Sequence, residues 1–274
     1  MPELPEVEVT RRSLEPHLMG RAVESVVVRE TRFRVPLPKA RIQRTLRGVM
    51  VEGLRRRSKY LFIDMANGRT LIIHLGMSGR LRYVSRDEEA EAHEHVVFRL
   101  DGGHDLRFRD PRRFGLVLLE PTEGLEDHAL LRHLGPEPLE DQFSLDYLVE
   151  RARGRSAPIK AFLMDARNVV GVGNIYVCEA LWRAGVHPRR AAGRIGRERM
   201  ARLHDAVQEV LQEAIAQGGT TLNDFADAAG EPGYFVVRLA AYGREGEPCT
   251  RCGTPIRRIV MSNRSTFYCP RCQR

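Results

Sequence analysis

Residues 249–272 read CTRCGTPIRRIVMSNRSTFYCPRC. Cys249 and Cys252 form one Cys-x-x-Cys pair, Cys269 and Cys272 a second, with 16 residues between the pairs. Each pair turns tightly enough to aim two sulfurs at one point, and four thiolates suit tetrahedral zinc. Gly253 follows the first pair, where a turn needs a permissive backbone. Ile256, Ile259, Val260, Thr266, Phe267 and Tyr268 make two short strand-like runs, with Ser262, Asn263 and Arg264 as the turn between them. The spacing predicts a β-hairpin closed by one structural Zn²⁺. Two disulfides are the competing reading. A reducing compartment argues against them, and two paired knuckles are too many for a single redox site. Cys178 falls in a helical stretch and reads as buried packing.

The same tail carries much of the charge. Residues 249–274 hold six arginines and no carboxylate, in a chain of 274 residues with a net charge of +8. The excess points to a polyanionic partner and is local rather than diffuse. Only Lys39, Lys59 and Lys160 are lysines; every other one of the 44 basic residues is arginine, which cannot serve as an amine nucleophile. At 42% hydrophobic and 29% charged, the chain can bury a core, and its length fits two domains. It contains no apolar run of membrane-spanning length, and MPELPEVEVTRR has no apolar signal core. The expectation is a soluble cytoplasmic protein with no membrane partner.

Upstream, Pro5 suits the first turn of a helix over 5–18, with Glu6 and Glu8 at its positive end. Strand-like runs follow at Val26–Arg29, Tyr60–Met65, Thr70–His74, Leu81–Val84, Val96–Asp101, Asp105–Arg109 and Leu116–Glu120. Asn67-Gly68 and Gly102-Gly103 are hairpin signals between them. Helical pattern returns near 125 and dominates at 144–153, 158–164, 173–184, 196–216 and 221–226. The fold class is α+β: an N-terminal antiparallel β-sandwich with flanking helices over 1–135, a helical domain over 136–235, and the zinc hairpin over 236–274.

Several stretches can carry chemistry. A small second residue permits removal of Met1, which would leave Pro2 with a free secondary amine beside Glu3. Such an amine is partly neutral near pH 7 and forms an iminium with a sugar carbon directly. A plain helix start with acidic caps explains the same residues. Lys59 sits in a basic cluster, RRRSKY at 55–60, suited to phosphate contact or to a solvated edge. His74-Leu75-Gly76-Met77-Ser78-Gly79 and Asp110-Pro111-Arg112-Arg113-Phe114-Gly115 are two loops; the second sets arginine beside an aromatic, like a wedge that enters a base stack. Gly171-Val172-Gly173-Asn174 runs into a helix and makes a phosphate site with Asn174 as cap, without the pattern of a nucleotide cofactor fold.

Taken together, PELPEVE at 2–8, SKYL at 58–61, HLGMSG at 74–79, DPRRFG at 110–115, GVGNIY at 171–176, GGTT at 218–221 and NRSTFYC at 263–269 closely resemble the formamidopyrimidine-DNA glycosylases. The resemblance covers essentially the whole chain. It implies a monomer that acts on damaged double-stranded DNA, associates with the nucleoid when bound, and contains a helix–two-turn–helix element. It implies excision of oxidised purines through a Pro2 Schiff base, with Glu3 as proton donor, followed by β,δ-elimination assisted by Lys59 and Arg264. It implies DNA contacts from His74, Met77, His93, Arg112, Phe114, Arg155 and Asn174, and a cap over the extruded base from Thr220, Thr221 and Tyr242. An endonuclease VIII type, which prefers oxidised pyrimidines, shares the proline and often the zinc; Met77, Arg112 and Phe114 fit the formamidopyrimidine branch better. A non-catalytic zinc-dependent DNA-binding protein is the alternative from another class.

Overall fold

The computed structural model describes residues 2–219 and 239–274. The chain divides into two compact units, one built on 2–132 and the other on 133–216 together with 239–274. The expected helix at 221–226 lies outside the described residues, as do Thr220 and Thr221.

The first unit begins with α1 (Leu4–Leu18), with Pro5 in its first turn as the sequence predicts. Eight strands follow: β1 (Ala22–Val28), β2 (Val49–Arg57), β3 (Tyr60–Met65), β4 (Arg69–His74), β5 (Arg80–Ser85), β6 (Glu94–Leu100), β7 (His104–Arg109) and β8 (Leu116–Pro121). All paired neighbours are antiparallel, in the order β5-β7-β6-β1-β2-β3-β4-β8. β1 and β2 share only the pairs Ala22↔Met50 and Val23↔Val49, so the sheet divides there into two four-stranded halves. Val26, Phe98 and Phe108 of one half and Leu61, Ile73 and Val117 of the other belong to a single buried cluster. That shared core makes the unit a β-sandwich.

Three elements of this unit differ from the expectation. β2 is a full strand, although it ends in three arginines and carries a bulge between Val51 and Gly53. Its buried positions are only Val51 and Leu54, too few to show a period of two. A short helix, α2 (Lys39–Leu46), buries just Ile42 and Leu46 against the core. The helical pattern near 125 amounts to one 3₁₀ turn, Leu125–Asp127.

The second unit holds α3 (Leu145–Ala152), α4 (Ile159–Met164), α5 (Asn174–Ala184) and α6 (Arg197–Ala216), all close to the predicted ranges. Every residue of α5 except Arg183 is buried, which marks it as the central helix. α6 packs on it through Met200, Leu203, Val207, Val210, Leu211 and Ala214, an apolar stripe at helical spacing. The hairpin pairs β9 (Arg257–Met261) with β10 (Arg264–Tyr268) in perfect register from Arg264↔Met261 to Tyr268↔Arg257. Its turn is only Ser262 and Asn263, with φ of +48° and +56°, so Arg264 opens β10 rather than lying in the turn. Right-handed strand twist favours such a two-residue loop with both residues at positive φ.

One buried charge holds an outer face of the sandwich. Arg107 on β7 is 4% exposed, yet it donates to the carbonyls of Glu88 at 2.9 Å and Glu89 at 3.2 Å. It also lies 3.3 Å from Asp105 and 3.5 Å from the fully buried carboxylate of Glu94. The guanidinium therefore ties the β5–β6 connection to the sheet while neutralising two carboxylates. Arg107→Met is expected to cost about 3 kcal/mol, because it strands buried acceptors and charge. Denaturant unfolding checks this; a loss below about 1 kcal/mol would contradict it.

Candidate functional site

In the first unit, the N-terminus is locked into α1. Pro2 is buried and Glu3 is 2% exposed. The Glu3 N–H donates to Glu6 Oε2 at 2.8 Å, one half of a reciprocal capping box between the two residues. One turn on, Glu8 accepts from Arg12 Nε at 2.8 Å and Arg11 Nη2 at 3.0 Å, and from Arg56 Nε of β2 at 3.2 Å. Burial alone would raise the Glu8 pKa; the bonds from Arg11 and Arg12 and the charge of Arg56 overcome it and hold the carboxyl below its ordinary value. Arg56 Nη1 also donates to the Ser58 carbonyl at 3.0 Å. This joins α1 to the two-residue Ser58-Lys59 turn, where Ser58 adopts φ +57°.

The β3–β4 ladder then brings His74 to the same end of the sheet. Tyr60 pairs with His74, their rings 5.1 Å apart. His74 Nδ1 accepts from the Gly76 N–H at 2.9 Å, so a proton on the neutral ring sits on Nε2. Burial, with the positive charges of Lys59 and Arg34, pushes the His74 pKa down to about 4. His74 is therefore a neutral donor near pH 7, not a cation.

The two predicted loops interlock through their backbones. A Cβ on Gly76 would lie 2.5 Å from Gly115 N, and one on Gly115 would lie 2.7 Å from the His74 carbonyl. Only glycine permits that approach, and Gly76 also stands at φ +68°. Asp110, fully buried, completes the lock: it accepts from Ser78 Oγ at 2.9 Å and from the Gly115 N–H at 2.8 Å. On this rigid base Met77 is 39% exposed and Phe114 47% exposed. The Arg112 guanidinium lies 4.7 Å from the centre of the Phe114 ring. Three residues expected to act together are thus collected at one exposed tip. His93, at φ +70°, is exposed beside them, and its carbonyl accepts from the Asp110 N–H at 3.1 Å.

In the second unit, Gly173 is the N-cap of α5 and Asn174 is its first helical residue, a correction to the expected cap. The Asn174 amide instead donates to the Ser265 carbonyl of β10 at 2.9 Å, which joins helix and hairpin. Arg264, exposed, shares a recess of about 160 Å³ with Lys160, Asp165 and Ser262. Sequence reasoning counted Lys160 but gave it no part. It is 2% exposed and donates from Nζ to Thr266 Oγ1 at 2.6 Å. Its scarcity in an arginine-rich chain was the available signal. Glu179 was missed outright: its buried carboxylate accepts the N–H groups of Ala240, Ala241 and Tyr242 at 2.9, 3.0 and 2.7 Å. The Tyr242 ring stands 5.1 Å from Phe267, edge to face. Arg155 is exposed between α3 and α4.

The Sγ atoms of Cys249, Cys252, Cys269 and Cys272 all lie within 4.8 Å of one another, with Cys252 and Cys269 3.5 Å apart. Ideal tetrahedral zinc–thiolate geometry separates sulfurs by about 3.8 Å, so the donor set fits. Trp182 Nε1 donates to Cys249 Sγ at 3.4 Å and the Cys272 N–H to Cys269 Sγ at 3.4 Å, bonds that favour thiolate charge. The four cysteines are the ligands of one structural zinc.

Among the described residues, no helix is long and apolar enough to cross a membrane. The formamidopyrimidine-DNA glycosylase N-terminal domain matches residues 1–117, the H2TH domain of the same proteins matches 134–226, and the zinc finger found in FPG and IleRS matches 246–274. The formamidopyrimidine-DNA glycosylase of Stenotrophomonas maltophilia (strain K279a) is 53% identical over the full length of both chains; that of Syntrophotalea carbinolica is 54% identical, again over all of both. A Lactococcus lactis FPG variant bound to a Fapy-dG containing DNA superposes with a TM-score of 0.93 at 34% identity, covering 100% of each chain. The MutM (FPG) protein of Thermus thermophilus gives a TM-score of 0.89 at 39% identity, covering 99% of this chain and 98% of that one. With all three parts matched in order and relatives alike from end to end, the chain belongs to the formamidopyrimidine-DNA glycosylase family.

Proposed function

We propose that this protein excises oxidised purines, 8-oxoguanine and formamidopyrimidines, from duplex DNA and then cleaves the abasic strand. It is a glycosylase of base-excision repair. The observation that carries the reading is the N-terminal proline at the head of a helix which Glu8 and Arg56 fasten to the Lys59 turn. The reading places the protein in the cytoplasm as a monomer on chromosomal DNA.

The target base must leave the stack before its sugar can be reached, at a cost of a few kcal/mol. Met77, Arg112 and Phe114 fill the gap, and contacts to phosphates from Lys59, His74, His93, Arg155, Asn174 and Arg264 help offset that cost. The neutral His74 suits this work, since its Nε2–H donates without adding charge. The Pro2 amine attacks C1′ as the glycosidic bond breaks, and the bond electrons leave with the base. Loss of the amine proton and opening of the sugar, with Glu3 giving a proton to the ring oxygen, yield the iminium. Loss of a C2′ proton then expels the 3′ phosphate, and a second elimination expels the 5′ phosphate, with Lys59 and Arg264 at the phosphates. Thr220, Thr221 and Tyr242 would cap the extruded base. The zinc supplies no chemistry, because four cysteines leave no open position; it fixes the hairpin that carries Arg264.

The amine requires a chain that starts at Pro2, so the intact mass should fall short of the full sequence by one methionine residue. Borohydride should then trap the enzyme covalently on damaged duplex, and Pro2→Gly should abolish both trapping and base release. Full activity in that variant would remove Pro2 as nucleophile and leave a binding protein as the better reading. Asp110→Ala should slow base release from duplex by roughly tenfold to a hundredfold through misplacement of the wedge. Cleavage of a preformed abasic site should suffer less; equal losses on both substrates would refute the positioning role. Cys252→Ser, or zinc removal by chelation, should weaken duplex binding by more than about tenfold through loss of hairpin contacts while the β-sandwich unit still melts cooperatively. Binding at the wild-type level without metal would overturn the assigned part of the hairpin.

A further inference from the structure

In a chain this rich in arginine, one more guanidinium signals little; what matters is whether a carboxylate already neutralises it. Much of the surface is matched in this way, as Arg55 is with Asp64 and Arg183 with Glu213. Residues 187–199, HPRRAAGRIGRER, depart from that pattern, with five arginines and one acid. Arg197 pairs with Asp146, and Glu198 is taken by Arg202. Among the described residues no carboxylate lies within 4.0 Å of Arg189, Arg190 or Arg194. Arg189 and Arg194 are exposed and Arg190 is half-buried. The nearby His187 senses this: burial lowers its pKa, and the charge of Arg189 lowers it further.

The segment is also held in a defined place. Pro158 and Ala191 form an antiparallel bridge. Ile159 N donates to the Arg190 carbonyl at 2.7 Å, Ala192 N to Ala157 at 2.9 Å, and Gly193 N to Arg155 at 2.9 Å. A Cβ on Gly193 would lie 2.9 Å from Arg155 N, so the two stretches approach as closely as glycine allows. The unmatched arginines are thereby fixed alongside Arg155 and the chain that leads to Lys160, whose recess Arg264 shares. Clustering unneutralised cations on a rigid backbone costs repulsion unless an anion joins them, and the planar guanidinium suits bidentate contact with phosphate.

We propose that Arg189, Arg190 and Arg194 extend the Arg155 contact into a phosphate-binding strip that takes the sugar–phosphate backbone of the duplex outside the damaged base step. The proposal rests on the DNA-repair reading above and adds a sequence-independent footprint to it. Equilibrium binding to a lesion-containing duplex over a range of salt concentrations tests it. Each lost phosphate contact lowers the slope of log K against log salt by about 0.9, so Arg189→Gln/Arg190→Gln/Arg194→Gln should give a slope shallower by about 2 to 3. Arg202→Gln, which removes an arginine already matched to Glu198, should leave the slope as it is. A triple variant with the wild-type slope overturns the strip, including the case in which the patch serves an acidic protein surface instead. Should the triple variant fail to fold, the three single variants carry the same test, each with a slope lower by about 0.9. Borohydride trapping of the wild type reports separately on the repair reading: trapping without a slope change defeats only the strip, and no trapping defeats the reading beneath it.

Discussion

A single carboxylate sets the geometry on which the chemistry proposed for the first unit rests. Glu8 is buried between α1 and β2, and burying a charge is tolerable only when it is paired and hydrogen-bonded. Arg11 and Arg12 come from its own helix, so they would follow it anywhere. Arg56 comes from the sheet and fixes where the helix must lie. Because Arg56 also holds the Ser58 carbonyl, the head of α1 and the Lys59 turn are positioned by one guanidinium. The nucleophile proposed at Pro2 lies near a chain terminus and would otherwise fray, as termini do. Here the terminus opens a helix whose first turns are capped by Glu6 and anchored by Glu8.

The proposed wedge of Met77, Arg112 and Phe114 meets a different problem by different means. A side chain that fills a base stack must be exposed, and exposed apolar side chains on loops are usually mobile. Rigidity comes instead from beneath. Gly76 and Gly115 let two backbones touch, and the buried Asp110 satisfies Ser78 and the Gly115 N–H at once. Both Asp110 oxygens and the Ser78 hydroxyl have close partners, which braces the loops beneath the exposed Met77 and Phe114. Glycine is needed at these positions for contact between the loops more than for turning the chain.

What could be read from the sequence follows the range of the forces involved. Cysteine spacing is local, and the four-sulfur cluster emerged where the pairs predicted it. The helices of the second unit have apolar stripes of helical period, and their ranges agreed within a residue or two. β2 and α2 were not seen because their buried sides are only two residues wide. The sequence reads Asn174 as a cap because Asn commonly caps helices; its amide is used 91 residues away on Ser265 instead. Glu179 and Lys160 were beyond reach for the same reason. Their partners lie 61 to 106 residues further along, and nothing local distinguishes a buried charge with distant partners from a solvated one.

Charge, finally, has to be counted after pairing. A net +8 spread over a surface would attract DNA weakly and from every side. In this fold many arginines are consumed internally: Arg80, Arg82 and Arg109 converge on Glu91, and Arg107 is spent on Asp105 and Glu94. Such clusters stiffen the β5–β6 connection but present little unneutralised charge. Among the described residues, arginines without a carboxylate within 4.0 Å include Arg257 and Arg264 of the zinc hairpin and Arg189, Arg190 and Arg194, all in the second unit, and also Arg34, Arg44, Arg47, Arg69 and Arg99 of the first unit. Lysine could not have been divided in this way so readily, since a guanidinium can meet a carboxylate and several carbonyls together, as Arg107 does. The arginine bias therefore does two separate things: paired, it builds the scaffold, and unpaired, as at Arg189, Arg190 and Arg194, it leaves charge that a polyanion can neutralise.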